Sequence, residues 1–480
     1  MSTPKVAPEK LVAGMETEMQ QYLQSVMQAV NDAADGEWIA GSEEQVRNLS
    51  TEFRKKAFER AVQLKIDAAE AAFPPPRNPA TGQRLANKGR QNTSVLSING
   101  RIDLERRWWY AAQTGSVAPA DAALNRTGES VTPGVREMAC RENQAASSFD
   151  KAAENLARTA QITLSGEQLR LLVEAEGRCV QAAQQASAIA PAWTAEACEV
   201  EENGRTVPDK TRLYTGCDGV MVPVITQAEK DQRRAKVRAK RRKCGRKRRP
   251  LPTPRKGADQ AWKEFKVVYF YDEQLRHQHV AVTYQNHEAA GRLLRREADR
   301  LKFREASQRI ANVDGAPWIR NQLQLHLAEL DGLGLDFYHL GENVHRARRA
   351  VFGEASVEGK AWAEAVMHGF KNAGYDPTWE RLIAWRSGLE RSPQKRQAAD
   401  RLLQYVCERR DMIRYPEFRE RGWQIGSGPT EAQCKLTVGR LKGRSRRWDR
   451  PNAAAVAALD SLERSGQWHQ YFPNPSAAAA

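Results

Sequence analysis

The sequence lacks three features that would place it in a familiar class at once. Its seven cysteines include no Cys-x-x-Cys pair, and their odd number is typical of a reducing compartment and gives no support for a structural zinc site. No apolar run approaches the ~20 residues that cross a bilayer, and no secretory leader follows Met1. We therefore expect a cytoplasmic protein without a membrane segment.

Acidic residues are too few to balance the basic ones, and the excess is concentrated in one segment. The formal charge is +16 over 480 residues. Residues 230–256 contain fifteen Lys or Arg and a single acid, Asp231, so this segment carries +14 and the rest of the chain only +2. Nucleic acid is the first partner to consider, because neutralised phosphates release counterions. The alternative for a basic run taken alone is a solvated tail or a targeting signal.

Length, composition and turn residues predict a globular protein of roughly three domains. Apolar residues make up 41% and charged residues 28%, which argues against a disordered chain. Residues 1–80 have apolar positions at helical spacing, and Pro74 ends this helical region because proline cannot continue a helix. Residues 81–130 contain Asn99-Gly100 between two apolar runs, which predicts a small β-hairpin.

Residues 131–205 are again predicted to be helical. Two short helices are expected at 149–159 and 167–176, with Ser165 as the N-cap of the second. They form either a helix-turn-helix, which binds DNA through its second helix, or an ordinary helical hairpin.

Strands alternate with helices over residues 206–480, and this order predicts a mixed α/β sheet. A basic segment at 228–258 and a helical segment at 342–425 interrupt the alternation. The predicted elements are a hairpin turning at Asp218-Gly219, strands at 265–271 and 279–284, a helix at 287–303, a strand ending at Asp314, a helix at 318–329, a strand near Leu335 and a last helix opened by Pro429.

Three acidic residues, Asp218, Asp314 and Glu431, stand where strands end or a helix begins. In an open α/β sheet such groups converge on one edge. Like charges in a low-dielectric cleft destabilise one another, so three carboxylates have little reason to gather there without cations. Two Mg2+ ions about 3.5 to 4 Å apart would neutralise them and clamp the attacking and leaving oxygens of a phosphoryl displacement.

Each of these residues also has a simpler interpretation. Asp-Gly is a common turn and occurs four times, at Asp35, Asp218, Asp314 and Asp331. Glu431 lies in the first turn of a predicted helix, where glutamate favours the helix dipole. Spacing alone therefore leaves both the metal site and these local roles open.

Four motifs occur in a characteristic order, and together they resemble the ISKra family of bacterial insertion-sequence transposases. The likeness spans roughly residues 85 to 470 and includes Arg440-Leu-Lys-Gly-Arg444 and the closing Ser465-Gly-Gln-Trp468. The motifs are Thr215-Gly-Cys-Asp218-Gly-Val-Met-Val-Pro223, Val313-Asp314-Gly-Ala-Pro-Trp318, Asp336-Phe-Tyr-His339 and Arg421-Gly-Trp-Gln-Ile-Gly-Ser-Gly-Pro-Thr-Glu431-Ala-Gln-Cys-Lys435.

The resemblance implies a DDE transposase with a ribonuclease-H-like catalytic core, a mixed sheet flanked by helices. The family's catalytic and metal-binding residues map onto Asp218, Asp314 and Glu431, which would hold two Mg2+ or Mn2+ ions. Asp336 and His339 match an Asp-x-x-His signature and are candidate accessory residues. The alternative for His339 is a satisfied core histidine at a strand end.

The implied reaction is cleavage at the ends of an insertion sequence and transfer of the strands to target DNA. The partners would be double-stranded DNA, namely terminal inverted repeats and target, and further copies of the chain in a homodimer or larger assembly on the bacterial nucleoid. The segments 228–258 and 342–425 would be insertions in the catalytic domain. The predicted DNA contacts are Arg241, Arg242, Lys243, Arg246, Lys247, Arg248, Arg249, Arg440, Lys442 and Arg444.

One region departs from the family's pattern. Where family members carry paired cysteines around the N-terminal hairpin, this chain has Phe73-Pro-Pro-Pro-Arg77 and Tyr110-Ala-Ala-Gln-Thr-Gly115. Zinc is therefore not expected. Trp108 and Trp109 would pack the hairpin or stack on bases.

Two other functions are weighed against the transposase. A catalytically silent DNA-binding protein descended from a transposase predicts loss of a carboxylate, and all three are present. An RNA-binding protein anchored by 228–258 predicts binding that is indifferent to metal and to Asp314.

Overall fold

The chain divides into two units, Met1–Val173 and Glu174–Ala480, and the division falls within the helix Gly166–Gln185. A computed structural model describes residues 4–112, 115–124, 130–202, 204–244, 250–389, 392–443 and 446–473. Among these residues no helix is both long enough and apolar enough to cross a membrane.

The first unit begins with three helices, as the sequence predicts. These are α1 (Pro8–Ala13), α2 (Glu16–Asn31) and α3 (Trp38–Ala72). The backbone leaves the helical conformation at Phe73, immediately before Pro74.

A three-stranded antiparallel sheet follows, made of β1 (Ala86–Ser97), β2 (Gly100–Ala111) and β3 (Gly115–Val117), with a short helix α4 (Asp121–Leu124) after it. The predicted hairpin is confirmed, but Ile98 and Asn99 form its loop, and Gly100 opens β2 with a φ of 104°. Ile66 of α3 packs with Ile102 and Leu104 of β2 in a buried hydrophobic cluster between this helix and the sheet.

Three helices continue the chain: α5 (Pro133–Ala145), α6 (Phe149–Ala160) and α7 (Gly166–Gln185). The two predicted short helices are thus confirmed, and so is the cap. Ser165 Oγ accepts from Gln168 N at 3.2 Å, and Gln168 Oε1 accepts from Ser165 N at 2.9 Å. The second helix is longer than predicted, with 20 residues. DNA binding by α6 and α7 stays a prediction.

The second unit contains a six-stranded mixed sheet in the order β7-β6-β5-β8-β9, with β4 paired to β5. Strand β5 is antiparallel to β6 and parallel to β8, and β8 is parallel to β9. The elements are β4 (Glu199–Glu202), β5 (Arg205–Pro223), α8 (Gln227–Lys243), β6 (Trp262–Tyr271), β7 (Gln278–Thr283), α9 (His287–Arg300), β8 (Gln308–Val313), α10 (Pro317–His326) and β9 (Gly332–Leu335).

The predicted hairpin at Asp218-Gly219 is wrong, because β5 continues through both residues. They pair with Val267 and Lys266 of β6 in unbroken antiparallel register. Gly219 therefore lies within a strand and not in a turn, and a Cβ built on it would lie 1.9 Å from Glu264 Oε1, the end of a flexible side chain.

Helices cover both faces of this sheet. Alternate residues of a strand point to opposite faces, and Cys217 joins Leu294 of α9 in the core while Gly216 faces Thr430. The remaining elements are α11 (Phe337–Phe352), α12 (Val357–Asn372), α13 (Tyr375–Ser387), α14 (Pro393–Cys407), α15 (Tyr415–Glu420), α16 (Gly428–Thr437), α17 (Arg450–Arg464) and α18 (Trp468–Tyr471). The helical segment predicted at 342–425 thus begins at Phe337, directly after β9.

A buried ion network joins β7 to α9. Glu297 is 2% exposed, and its carboxylate lies 2.9 Å from His279 Nε2 and 2.6 Å from both Arg296 Nη2 and Arg300 Nη1. Burial opposes ionisation, but the hydrogen bond and charge of His279 and the two arginines outweigh it and lower the pKa of Glu297 to about 2.

Replacing Glu297 by glutamine is expected to lower the free energy of unfolding at pH 7 by roughly 3 kcal/mol. The folded-state pKa of about 2 lies below the ordinary 4.5, so this stabilisation is present above pH 4.5 and is lost as the pH falls toward 2. Urea unfolding at pH 7 and at pH 3 measures both effects. Glu288→Gln, at an exposed position of α9, is the control, and equal losses in the two variants would contradict the prediction.

Candidate active site

Strand register brings the two predicted aspartates to the same level of the sheet. Thr215 of β5 is paired with Ala311 of β8 in parallel register. Three residues further along each chain stand Asp218, still within β5, and Asp314, immediately after β8. Asp314 follows a strand, as the sequence predicts. Asp218 lies inside a strand, whereas the sequence predicts a turn there.

Glu431 approaches this edge on the first turn of α16. The approach depends on Gly216, which points to the same face of the sheet as Asp218. A Cβ on Gly216 would lie 2.0 Å from Thr430 Oγ1, so only glycine lets α16 pack this close to β5.

The segment that leads into α16 is fixed by three strands of the sheet. Tyr214 Oη of β5 accepts from Gln424 N at 3.2 Å, and Asn312 Nδ2 of β8 donates to Gln424 O at 2.9 Å. Asp336, directly after β9, accepts from Ser427 N through Oδ2. These contacts determine where the helix that carries Glu431 begins.

Asp336 is fully buried and also caps α11. Its Oδ1 accepts from His339 N at 2.7 Å and lies 3.2 Å from His339 Nδ1. His339 is therefore in the first turn of a helix with 31% of its side chain exposed, and the core-histidine alternative is wrong. The hydrogen bond to Asp336 raises the pKa of His339 to about 9, with further contributions from the charges of Asp336 and Glu431.

The loop after β8 is held by the helical segment. Gly315 has a φ of 81°, and Arg409 Nε donates to its carbonyl oxygen at 3.1 Å. Within the loop, Asp314 Oδ1 accepts from Ala316 N at 2.8 Å. The arrangement fixes the backbone at Asp314 from both sides.

Asp218 is affected by the charges of the other two predicted carboxylates. Burial, together with the charges of Asp314 and Glu431, raises the pKa of Asp218 to about 6, against the hydrogen bond from Gly219 N. Such a concentration of negative charge on oxygen donors fits divalent cations of the Mg2+ type.

One tighter group is also present among the described residues. Ligand atoms of Asp336, His339 and Glu431 lie within 4.8 Å of one another and could hold a metal ion. His339 Nδ1 is 3.5 Å from Glu431 Oε1. Both oxygens of Asp336 accept hydrogen bonds, which gives Asp336 a positioning role, and each oxygen keeps a second lone pair.

The predicted DNA contacts lie in different environments. Arg241, Arg242 and Lys243 are in the last turn of α8, and Lys442 is exposed, whereas Arg440 is 8% exposed and lies over the ring of Trp448. Burial lowers the pKa of Arg440 to about 10. Arg246, Lys247, Arg248, Arg249 and Arg444 lie outside the described residues. Their role in binding DNA stays a prediction.

Several positioning residues are missed by reading the sequence. Tyr214, Asn312 and Arg409 carry no local signal, because their partners are about 90 to 210 residues away. Gly216 belongs to the first quoted motif, but the reason why glycine is required there is its contact with α16.

Comparison with models of known protein families and with proteins of curated function gave no match. The geometry and the motifs therefore carry the functional argument.

Replacing Gly216 by alanine is expected to destabilise the second unit by roughly 2 kcal/mol, because the new methyl group overpacks against Thr430. Chemical unfolding measures this loss. The control is Gly428→Ala on α16, where an added Cβ meets no atom within 4 Å. A Gly216→Ala protein as stable as the control would refute the close-approach argument.

Proposed function

We propose that this chain is a DDE transposase of the ISKra type, which cleaves DNA at the ends of an insertion sequence and transfers the strands to target DNA. The observation that carries the proposal is that parallel register places Asp218 and Asp314 at the same level of neighbouring strands, while Glu431 lies on α16, which packs against β5. Successive members of this set are 96 and 117 residues apart in the chain, and the charges of Asp314 and Glu431 contribute to the raised pKa of Asp218.

The strand order supports a ribonuclease-H-like core. On one side of the central strand β5 lies β6, antiparallel to β5, and then β7, antiparallel to β6; on the other side lie β8 and β9, which run parallel to β5. The first aspartate comes from the central strand, the second follows its parallel neighbour, and the glutamate comes from a helix packed on the sheet. This is the arrangement that the resemblance implies.

Asp218, Asp314 and Glu431 would hold two Mg2+ or Mn2+ ions, since carboxylate oxygens suit these hard cations. When bound, such ions activate water and stabilise charge on the attacked phosphate. Asp336 orients His339 and secures Ser427, so the start of α16 stays fixed relative to β8 and β9. The protonated His339 offsets part of the charge of Glu431.

The proposed reaction consists of two displacements at phosphorus. In the first, a water oxygen bonds to the phosphorus at the element end and the water gives up a proton, while the bond to the 3′ oxygen breaks and that oxygen takes up a proton. In the second, the oxygen of the new 3′ hydroxyl bonds to a phosphorus of target DNA and loses its proton, and the displaced target 3′ oxygen takes up a proton. Neither step needs a covalent enzyme intermediate.

Double-stranded DNA is the proposed substrate, both as terminal inverted repeats and as target. The charge of segment 228–258 supports a polyanionic partner. Because two element ends must be held together, we propose a homodimer or a larger assembly, acting in the bacterial cytoplasm on the nucleoid.

Cleavage of a labelled duplex that carries the ends of the chain's own element tests the proposal. We expect nicks at the element boundary with Mg2+ or Mn2+ and none with a chelator. Specific end binding without cleavage under any metal would instead support a catalytically silent DNA-binding protein. Preference for RNA, indifferent to metal, would support the RNA-binding alternative.

A further inference from the structure

Helix α8 projects from the catalytic unit between β5 and β6, and it is the most basic element among the described residues. Its 17 residues include nine Lys or Arg and two acids, and none of its residues is buried. Helices on protein surfaces normally bury an apolar stripe. This helix has none, so packing against the protein does not explain why it is there.

The first two turns of α8 are firmly anchored. Thr226 Oγ1 accepts from Glu229 N at 3.2 Å and Glu229 Oε2 accepts from Thr226 N at 2.9 Å, which is a capping box. Glu229 also pairs with Arg447, and Lys230 with Asp449. Arg234 donates to Pro252 O at 2.7 Å. The base of the helix is therefore part of the folded unit.

The second half of α8 differs sharply from this base. Residues 235–243 contain six Lys or Arg and no acid. Lys236 and Lys240, and likewise Arg238 and Arg242, stand four residues apart, where like charges repel. An exposed helix of this charge is stabilised when a polyanion neutralises it, and it extends about 13 Å at 1.5 Å per residue.

Resting on the proposed function, we propose that α8 enters the major groove of double-stranded DNA and holds the phosphates of both strands. The major groove of B-form DNA is about 12 Å wide and admits an α-helix of about 10 to 12 Å diameter. Basic side chains all round the helix match a groove with a phosphate strand on either side. The major groove of an RNA duplex is deep and narrow, so a helix of this size favours DNA.

The position of α8 in the chain places it near the carboxylates. Thr226, the cap, stands eight positions after Asp218, and at about 3.3 Å per extended residue this spans at most about 26 Å. Residues 235–243 begin about 14 Å beyond the cap at 1.5 Å per residue, so they start at most about 40 Å from Asp218. One turn of B-form DNA is about 34 Å. A single duplex can therefore contact both places within little more than one helical turn, and α8 fixes its register on the catalytic unit.

The experiment separates a rigid helix from a flexible basic segment of the same charge. In the full chain, Ala239→Pro breaks the helix without changing its charge, and Ala239→Gln at the same exposed position is the matched control. Binding to a 30-base-pair DNA duplex of arbitrary sequence and to an RNA duplex of the same sequence is measured by fluorescence anisotropy with a chelator present. Dimethyl sulfate protection of guanine N7 reports occupancy of the major groove.

We expect Ala239→Pro to weaken DNA binding at least about tenfold and to lose guanine N7 protection, while Ala239→Gln stays within about twofold of the unaltered chain. The unaltered chain should prefer DNA to RNA by at least about tenfold. If the Ala239→Pro protein binds DNA as tightly as the unaltered chain, or if the unaltered chain binds the RNA duplex as tightly as the DNA duplex, the proposal that α8 enters the major groove is overturned. Thermal unfolding of the rest of the unit should change little, because no residue of α8 is buried. Because metal is chelated, a failure to cleave DNA bears on the proposed function alone.

Discussion

Replacing Asp314 by asparagine is expected to reduce metal-dependent DNA cleavage by roughly 10³-fold or more, with DNA binding retained. Asparagine keeps the size of the side chain and can still accept from Ala316 N, so the loop after β8 should hold its shape. What it removes is the negative charge that, on the proposed mechanism, would hold a divalent cation beside Asp218. The loss should therefore appear in catalysis and not in folding.

Single-turnover cleavage with Mn2+ in excess measures this effect, and anisotropy with a chelator measures binding. The matched control is Asp35→Asn, which alters the same Asp-Gly dipeptide at an exposed turn of the first unit. Cleavage by the Asp314→Asn protein at the rate of the control would exclude Asp314 from the metal site and the three-carboxylate mechanism with it.

Replacing Asp336 by alanine is expected to lower the free energy of unfolding by roughly 4 kcal/mol and to abolish cleavage. The fully buried carboxylate accepts from Ser427 N and His339 N and contacts the His339 ring, and alanine leaves both backbone donors unpaired. The start of α16 then loses its attachment beside β9, and Glu431 is no longer held in place.

Urea unfolding gives the size of this loss, and a second capping residue calibrates it. Ser356 Oγ accepts from Gly359 N at the start of α12 and makes an ordinary cap. Ser356→Ala should cost only about 1 kcal/mol. If the two variants were equally stable, Asp336 would be a cap for α11 and nothing more, and cleavage would survive in Asp336→Ala.

The local sequence was enough to predict those helices and strands whose ends are determined by neighbouring residues. Proline and helical spacing predicted the end of α3 near Phe73, and the Ser165 cap placed the start of α7. Alternation of strands and helices predicted a mixed sheet, and Glu431 was placed correctly in the first turn of its helix. Each of these depends on residues within one or two turns.

The sequence misled at Asp218-Gly219, where a common turn dipeptide lies inside a long strand. There the glycine pairs with Lys266 of the neighbouring strand, and a Cβ on it would meet the carboxylate end of Glu264. In the same way, the contacts of Tyr214 and Asn312 with Gln424 join residues more than 100 positions apart. No window of the sequence contains both partners, so patterns of spacing could not reveal them.

The helical segment between β9 and α16 has a consequence for biosynthesis. Glu431 is translated 117 residues after Asp314, and at roughly 5 to 20 residues per second this corresponds to roughly 6 to 23 s. During this interval a nascent chain already has α8 and both aspartates but not its last carboxylate. On the proposed mechanism, a chain whose synthesis stops in this interval can hold DNA but cannot cut it, so incomplete products do no damage to the genome.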